Sequence, residues 1–460
     1  MASATEAAWR GARPDVGAAL RSVHDTRTLD IRRGALADVG QVLREAFDDR
    51  AGFVVADERT FAAAGADVVE RLRAVGRSAG EPLVFPGTPA PYPDAAHLER
   101  VEQAFASVDA VPVVVGAGTL NDLTKLAAHR LGRPYLCVAT AASMDGYTSF
   151  GAIVTQDGFK RTIGCPAPRA VIADLDVLAA APTELNAAGY GDLLGKVTAG
   201  ADWLLADALG LEPIDPGAWA LVQPPLRSWL ERPDTLREGD PDALERLFEG
   251  LTLVGIAMQL ASSSRPASGA EHRFSHLWEM EALDAGHAAF AHGFKVGVGA
   301  IATAALYERL LTRDLRSLDV DAAVRAWPAR DALEASVRAM HANPVVADNA
   351  VSETMAKYVE ADALRTRLVR LRDVWGDLRE ALAAQLLPAA SLRRMLAAAG
   401  APTHPSHIGV DAARFRAAHA AARTIRARYT VLDLLFETGL HAEVVDEVLA
   451  PDGYWGAGDA

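Results

Sequence analysis

Short apolar runs alternate with amphipathic stretches over residues 26–180 of the chain. The runs predict β-strands at residues 28–31, 53–56, 82–85, 111–115, 135–139 and 170–173. Between them, apolar residues recur at helical spacing over residues 35–47, 60–75, 96–106 and 121–131. Strands separated by helices of this length form βαβ units, so the pattern predicts a Rossmann-like parallel sheet with helices on both faces.

Residues 152–163 have a different pattern. Two apolar runs flank the sequence Gln156-Asp157-Gly158. Because Asp-Gly favours the tight turns that join antiparallel strands, this segment predicts a β-hairpin.

The strand pattern ends near residue 181. The remaining sequence is rich in Ala and Leu at helical spacing and is interrupted by proline-containing breaks. We therefore predict an N-terminal extension over residues 1–25, an α/β domain over 26–180, and an all-α domain over 181–460.

Charge and composition narrow the functional classes. The 460 residues carry 46 Lys and Arg against 60 Asp and Glu, a formal net charge of −14. This balance argues against binding to nucleic acid or an anionic membrane through bulk charge, although a small anionic ligand is compatible with it.

The cysteine count and the apolar segments bear on the compartment. The only cysteines, Cys137 and Cys165, cannot form a disulfide framework, and their spacing matches no zinc motif. The first 25 residues lack the apolar core of a secretory signal, and the most apolar segment, inside 295–308, is too short to span a bilayer. We expect a soluble cytoplasmic protein with reduced thiols and no stable membrane insertion.

A glycine-containing turn follows the predicted strand at 111–115. The sequence is Gly116-Ala117-Gly118-Thr119, and a helix is predicted to begin near Leu120. Glycines let the backbone approach a ligand, and the N–H groups at a helix N-terminus favour a phosphate or pyrophosphate. The full G-x-G-x-x-G fingerprint is missing, so an ordinary tight turn explains the pattern as well.

Asp57 ends the predicted strand at 53–56. An acid at this place can accept hydrogen bonds from an adenosine ribose and favours NAD over NADP. A helix N-cap or a surface acid is the alternative, and nearby Arg59 weakens the cofactor preference.

Candidate metal ligands occur in the helical half. Asp192 lies in AAGYGDLLGK, His272 and His276 lie four residues apart in SGAEHRFSHLWEM, and His292 lies in AHGFKVGVG. One Asp with two His suits zinc, iron or nickel and leaves a position open for a substrate oxygen. Spacing alone leaves open which of His272, His276, His287 and His292 ligate, and histidines of the core or surface explain the pattern equally; His287 is interpreted as a helix-face residue.

A family resemblance runs from about residue 30 to 310. The strings GAGTLNDLTK, VATAASMDGYTSFGAIV, DGFK, AVIADLDVLAAAP, AAGYGDLLGK, SGAEH and HGFKVGVG occur in this order. They resemble the glycerol-1-phosphate dehydrogenases, relatives of the glycerol dehydrogenases, iron-type alcohol dehydrogenases and dehydroquinate synthases. The stretch AASMDGYTS is most similar to the bacterial enzymes. The resemblance implies a dehydroquinate synthase-like fold, in which the α/β domain binds a dinucleotide and the all-α domain that follows it binds the metal and the substrate. The last 150 residues match little.

The resemblance assigns metal and cofactor roles to matching positions. It implies that Asp192, His272 and His292 hold one divalent metal, usually zinc, with nickel or iron in some members. It further implies that NAD or NADP is bound by Asp57, Gly116, Gly118, Thr119, Thr140 and Ser143, with Asp57 facing the adenosine ribose.

The resemblance also implies substrate contacts. Asp145 would meet the substrate hydroxyls, and Lys160, fifteen residues later, matches a lysine of the cyclase branch. Lys196, Arg265 and His276 are the candidates for receiving a substrate phosphate, and Lys196 and His276 count with Asp145 as candidate catalytic residues.

The implied activity is reversible reduction of dihydroxyacetone phosphate to sn-glycerol 1-phosphate, with water or His276 supplying the proton. One alternative is a metal-dependent dehydrogenase for another polyol or alcohol. Another is a sugar-phosphate cyclase, a lyase, but the Gly-Gly-Lys-Thr of dehydroquinate synthases is replaced by Gly146-Tyr147-Thr148-Ser149. The expected partners are a phosphorylated ketone or polyol and other copies of the chain in a homo-oligomer; a role in lipid metabolism would follow from the product.

Overall fold

The computed structural model describes residues 14–156, 159–286 and 290–456. The β-strands are numbered in chain order. They are β1 Thr28–Arg32, β2 Gly52–Asp57, β3 Leu83–Phe85, β4 Val111–Gly116, β5 Leu136–Ala139, β6 Ala152–Gln156, β7 Phe159–Ile163 and β8 Ala170–Asp174. Six of them form one sheet in the order β1-β8-β5-β4-β2-β3, and every neighbouring pair is parallel. The prediction of a parallel sheet is confirmed, with strand bounds shifted by at most one residue.

The central strands are buried along their whole length. Every residue of β4, β5 and β8 is buried, as expected for parallel strands covered on both faces. The register pairs Gly116 of β4 with Ala139 of β5, so the carboxyl ends of these strands lie side by side. Ligands of open α/β sheets bind at this edge.

The predicted hairpin is also present. Strands β6 and β7 pair antiparallel, with Ala152 opposite Ile163 and Gln156 opposite Phe159. The Asp157-Gly158 turn itself lies outside the described residues.

The α-helices are numbered in the same way. They are α1 Val16–Arg21, α2 Val39–Phe47, α3 Glu58–Thr60, α4 Ala66–Ala74, α5 Ala95–Ala106, α6 Gly118–Arg130, α7 Leu175–Ala180, α8 Thr183–Leu194, α9 Lys196–Ala208, α10 Pro216–Val222, α11 Leu226–Trp229, α12 Pro233–Arg237, α13 Pro241–Ala261, α14 Ala270–Asp284, α15 His292–Leu311, α16 Val320–Ala326, α17 Arg330–Ala339, α18 Pro344–Lys357, α19 Ala361–Gln385, α20 Ala389–Ala399, α21 Ala412–Ala421, α22 Val431–Glu437 and α23 His441–Leu449. Short 3-10 turns occur at Ala35–Asp38, Asp145–Tyr147, Leu315–Ser317, Pro405–Ile408 and Ala422–Thr424, and Phe61–Gly65 is a π-helical turn. After Asp174 the described residues contain helices and no further strand, as the sequence predicts.

The chain divides into two compact units. The first comprises Met1–Leu193, Pro216–Pro266 and Ala398–Gly400, and the second comprises Leu194–Asp215, Ala267–Ala397 and Ala401–Ala460. Helices α10–α13 therefore belong to the same unit as the sheet. The three-part division at residues 25 and 180 is drawn from the secondary-structure pattern and stays a prediction.

Two further expectations can be compared with the fold. Cys137 and Cys165 are both buried and form no disulfide, and burial raises the pKa of Cys137 to about 12, so this thiol stays protonated. Within the described ranges, every helix is too short or too polar to cross a membrane.

Candidate functional site

The glycine turn joins β4 directly to α6. The helix begins at Gly118, two residues before the predicted start at Leu120, because glycine is a poor helix former and does not mark a helix start in the sequence. A Cβ atom on Gly116 would lie 2.6 Å from Leu120 Cδ1, so a larger residue here would force the Leu120 side chain to shift. At Gly118 the nearest atom would be the Met144 methyl carbon at 3.7 Å, so the protein itself leaves room there.

The helix N-terminus at this turn is not capped by a side chain of the described residues. The preceding Ala117 is extended, and Thr119 is half-buried. Directly after the adjacent strand β5, the backbone N–H of buried Thr140 donates to the Gly116 carbonyl over 3.3 Å. Thr140 thus lies beside the turn, where the dipole of α6 favours an anion.

Asp57 forms a capping box at the end of β2. The Thr60 N–H donates to Asp57 Oδ1 over 2.8 Å, and the Asp57 N–H donates to Thr60 Oγ1 over 3.0 Å. Asp57 therefore caps the helix α3, as the helix-cap alternative predicts, and it does so through one carboxylate oxygen. Its role toward an adenosine ribose stays a prediction.

Lys125 anchors the loop 140–151 and is a residue that sequence reasoning missed. Its ammonium group is buried and donates to the carbonyls of Gly146, Ser149 and Gly151 over 3.0–3.1 Å. A charged residue inside an otherwise apolar helix face was the signal that could have found it.

The same loop is held from helix α8, which carries Asp192. The backbone N–H of half-buried Asp145 donates to Asp192 Oδ2 over 3.0 Å, and the Ala142 N–H donates to the Asn186 side chain over 2.9 Å. A Cβ on Gly189 would lie 1.7 Å from the Ala142 carbonyl oxygen, so the glycine of AAGYGDLLGK lets the helix touch the loop. Asp145, Asp192 and Ser143, whose side chain hydrogen-bonds Tyr147, are thereby fixed in one region.

The N-terminus of α14 presents His272. The Ala270 N–H donates to the buried carboxylate of Asp202 over 2.7 Å, and Glu271 Oε1 accepts from the Gly269 N–H over 2.6 Å. Glu271 Oε1 also lies 2.8 Å from His272 Nδ1, which turns the opposite ring nitrogen, Nε2, away from Glu271. Glu271 and Asp202 were not singled out from the sequence, although Glu271 stands next to the histidine in SGAEH.

Helix α15 begins with half-buried His292 and packs closely on α14. A Cβ on Gly299 would lie 2.5 Å from the Glu271 carbonyl oxygen, so the glycine in KVGVG permits this approach. The His272 and His292 ring centroids are 5.3 Å apart, and His276 lies 6.2 Å and 6.0 Å from them. Burial, followed by the charges of Arg426, His292 and His272, lowers the pKa of His276 well below its usual value.

Asp192, His272 and His292 form a candidate metal-binding set. One ligand atom from each lies within 4.8 Å of the other two. His276 does not belong to this group, and His287 lies outside the described residues. One carboxylate oxygen and two imidazole nitrogens form a borderline donor set that fits a divalent transition metal such as zinc, nickel or iron.

The candidates for phosphate binding lie in different surroundings. Lys196 is fully buried at the start of α9 and near enough to Glu271 for its charge to lower that carboxyl's pKa, although burial is the larger effect and raises it. Arg265 is buried in the first unit, where its backbone N–H donates to Ser263 Oγ. Lys160 lies in β7 opposite Thr155, and its side chain lies outside the described part.

Lys295 is a further buried cation, which was missed from the sequence. It donates to the Phe290 carbonyl and lies 3.5 Å from Glu279.

Comparison with known proteins shows which proteins this chain resembles. The model of the iron-containing alcohol dehydrogenase family matches residues 30–182. The chain is 38% identical over 256 residues to a glycerol-1-phosphate dehydrogenase (NAD(P)+) of Halalkalibacterium halodurans, covering 55% of this chain and 64% of that protein. It is 33% identical over 363 residues to the same-named protein of Geobacillus stearothermophilus, covering 78% of this chain and 79% of that one.

Solved structures agree on the fold. The NADH-dependent butanol dehydrogenase A of Thermotoga maritima superposes with a TM-score of 0.57 at 14% identity, over 92% of this chain and 97% of that one. At such low identity the likeness establishes the fold alone. The chain spans between about half and two thirds of the length of its first curated relatives.

Proposed function

This chain belongs to the glycerol-1-phosphate dehydrogenase family, and from this premise we propose that it catalyses the reversible, NAD(P)H-linked and metal-dependent reduction of dihydroxyacetone phosphate to sn-glycerol 1-phosphate. The observation that carries the proposal is the donor set of Asp192, His272 and His292, whose ligand atoms lie within 4.8 Å of one another. A carboxylate with two imidazoles leaves coordination positions for a substrate oxygen, as catalytic rather than structural sites do.

A bound divalent metal and a bound nicotinamide cofactor would supply the reaction chemistry. A divalent metal, zinc in our proposal with nickel and iron as the alternatives, would polarise the carbonyl as a Lewis acid, and NADH or NADPH would supply the hydride. What the protein adds is orientation. The Asp145 N–H fixes the Asp192 carboxylate, and the bond between Glu271 and His272 fixes one imidazole ring.

The cofactor would lie along the carboxyl edge of the sheet. Gly116, Gly118 and Thr119 offer the uncapped N–H groups of α6 to the pyrophosphate, with Thr140 and Ser143 in the next loop. Asp57 would hold the adenosine ribose with the carboxylate oxygen that the capping box does not use. An acid there favours NAD, because it repels the extra phosphate of NADP.

Substrate contacts complete the proposal. Asp145 would accept hydrogen bonds from the substrate hydroxyls, while Lys196 and Arg265 are the proposed partners of the phosphate, whose charge requires cations. Lys160 is proposed as a further substrate contact. Because its pKa is lowered, His276 would be neutral near pH 7 and would act on the phosphate or the proton through a hydrogen bond rather than as a cation. The homo-oligomer and the cytoplasmic location stay predictions.

The test is oxidation of NADH and NADPH by purified protein given dihydroxyacetone phosphate. Metal-stripped protein and samples reloaded with zinc, nickel or iron are compared, and the configuration of the glycerol phosphate is determined. We expect metal-dependent turnover that yields sn-glycerol 1-phosphate. Faster turnover of dihydroxyacetone than of dihydroxyacetone phosphate would instead identify a polyol dehydrogenase. Release of inorganic phosphate without net NADH consumption would identify a cyclase.

Two variants test the donor set directly. Asp192→Asn and His272→Ala should each lower activity by at least about 100-fold, and zinc binding should weaken in parallel, since each removes one of three ligands. Far-UV circular dichroism controls for folding. A folded His272→Ala protein that turns over normally without metal would refute the mechanism.

A further inference from the structure

Glu271 is a buried carboxylate whose two oxygens are both used. Oε1 accepts from the Gly269 N–H over 2.6 Å and lies 2.8 Å from His272 Nδ1, while Oε2 accepts from the Thr198 hydroxyl over 2.8 Å. The side chain is completely buried. Its oxygens therefore have fixed directions, because any rotation would break one of these bonds.

The backbone around Glu271 is equally constrained. A Cβ on Gly269 would lie 2.5 Å from Asp202 Oδ2 and 2.9 Å from Glu271 Oε2, and a Cβ on Gly299 would lie 2.5 Å from the Glu271 carbonyl oxygen. Glycine at both positions lets neighbouring segments close around this residue. Such packing fixes the position of the carboxylate against the histidine, and it holds the two groups more rigidly than a surface ion pair would.

This arrangement determines which nitrogen of His272 meets a metal. A histidine whose Nδ1–H is held by a carboxylate presents the lone pair of Nε2, and the carboxylate also makes the ring a stronger donor. Thr198 in turn holds the far oxygen of Glu271. The chain of contacts runs from Thr198 through Glu271 to His272, all within the second unit.

We propose that Glu271 is a positioning residue for the metal centre: it fixes His272 in the tautomer and orientation that ligate through Nε2, and Thr198 fixes Glu271. This inference rests on the proposed metal site and goes beyond it by assigning part of the metal affinity to residues outside the ligand set. Loss of such a carboxylate typically costs 10- to 100-fold in metal affinity.

The experiment measures the zinc dissociation constant of the purified full-length protein by competition with a chromophoric chelator. Glu271→Gln keeps the shape of the side chain but replaces the carboxylate oxygens by a weaker neutral acceptor. We expect about 10- to 100-fold weaker zinc binding for this variant and a loss of a few-fold for Thr198→Val. The latter removes the hydroxyl that bonds Glu271 Oε2 and that also lies 3.0 Å from the Gly195 carbonyl oxygen.

Glu249→Gln is the matched control. Glu249 is also buried and also accepts from a ring N–H, that of Trp229 over 2.9 Å, but its partner is not a histidine. The zinc affinity of the Glu249→Gln protein should equal that of the unmodified protein. Equal affinities of the unmodified and the folded Glu271→Gln proteins would overturn the proposal, whereas absence of zinc binding by the unmodified protein would overturn the metal site itself.

A second measurement does not depend on how the variants fold. In the zinc-loaded unmodified protein, nitrogen NMR of labelled histidine should show His272 protonated at Nδ1 and coordinated through Nε2. Coordination through Nδ1 would contradict the role of Glu271 even if its replacement weakened binding.

Discussion

The loop 140–151 and the helix α14 both carry predicted site residues, and different interactions hold them. The loop is bound through its own backbone: its carbonyls accept from Lys125, and its N–H groups donate to Asn186 and Asp192. Helix α14 is held by buried charged side chains. Asp202 accepts from the Ala270 N–H, Glu271 accepts from the N–H of the preceding Gly269, and Arg273 pairs with Asp433 over 2.9 Å.

The difference predicts different sensitivities. Backbone contacts depend on close approach and therefore on glycines, whereas buried charges depend on each partner being present. Added atoms should therefore damage the loop 140–151 most, and removal of a buried charge should cost more stability at helix α14 than at the loop. Each of the following experiments tests one side of this comparison.

The largest effect is expected for Gly189→Ala on the loop side. The new Cβ would lie 1.7 Å from the Ala142 carbonyl oxygen, and Ala142 is also held to α8 by the bond from its N–H to the Asn186 side chain. We expect a loss of more than about 4 kcal/mol in the free energy of unfolding, or failure to fold. Gly376→Ala in α19, where a Cβ meets nothing within 4 Å, is the control and should be neutral or stabilising by about 0.5–1 kcal/mol in denaturant titrations. A stable Gly189→Ala protein would show that the loop is not pressed against α8.

Asp433→Asn tests the helical side. Asp433 is buried between Arg273 and Lys357, whose Nζ lies 2.7 Å from it; burial alone would raise the pKa of this carboxyl, but its cationic neighbours lower it to about 2. Removing the charge leaves buried cations without compensation, so we expect a loss of about 3–5 kcal/mol in unfolding free energy. The exposed pair of Asp348 with Arg338 is the comparison, and Asp348→Asn should cost less than about 1 kcal/mol. Equal losses of unfolding free energy for the two substitutions would argue that buried charges do not hold helix α14.

Acid pH should destabilise the helical side through His419. This fully buried imidazole contacts Phe274 of α14, and burial lowers its pKa to about 4. Between the ordinary value of about 6.5 and about 4, the unfolded chain binds a proton that the folded chain does not, so stability falls as pH decreases through this window, by up to about 3 kcal/mol. His419→Asn, whose amide can replace the Nδ1–H donated to Phe415, should flatten this dependence, while exposed His129→Asn should leave it unchanged in urea titrations. An unchanged acid slope in His419→Asn would assign the effect to other groups.

Lys125→Met should have the smallest of these effects. It removes the ammonium group that serves three loop carbonyls, and hydrogen bonds to a charged group contribute about 1.5–3 kcal/mol. We expect a loss of about that size, with faster amide hydrogen exchange in residues 146–151. The control is Arg130→Met on the same helix, whose exposed ion pair with Glu102 contributes less than about 1 kcal/mol. Unaltered exchange in the loop would mean that Lys125 does not hold it.

The fold could be predicted closely because each strand and helix of the α/β region is encoded locally. Strand β4 was located within one residue from its unbroken apolar run, and the helix after it was placed too late because glycines carry no helical signal of their own. The hairpin was predicted from two turn residues. How the helices α10–α13 group with the sheet could not be read from sequence, because helical spacing specifies which face is buried but not what covers it.

The sequence by itself determined the order of elements, the glycine positions and the identity of the metal candidates, since these are properties of residue type and local spacing. The family resemblance already indicated Asp192, His272 and His292, but only the tertiary structure shows that ligand atoms of these residues lie within 4.8 Å of one another. It alone also shows that Glu271, Asp202 and Lys125 support the segments around them. The physical reason is that a buried carboxylate or ammonium group is satisfied by partners far away along the chain. No local pattern records which distant donor or acceptor will be there.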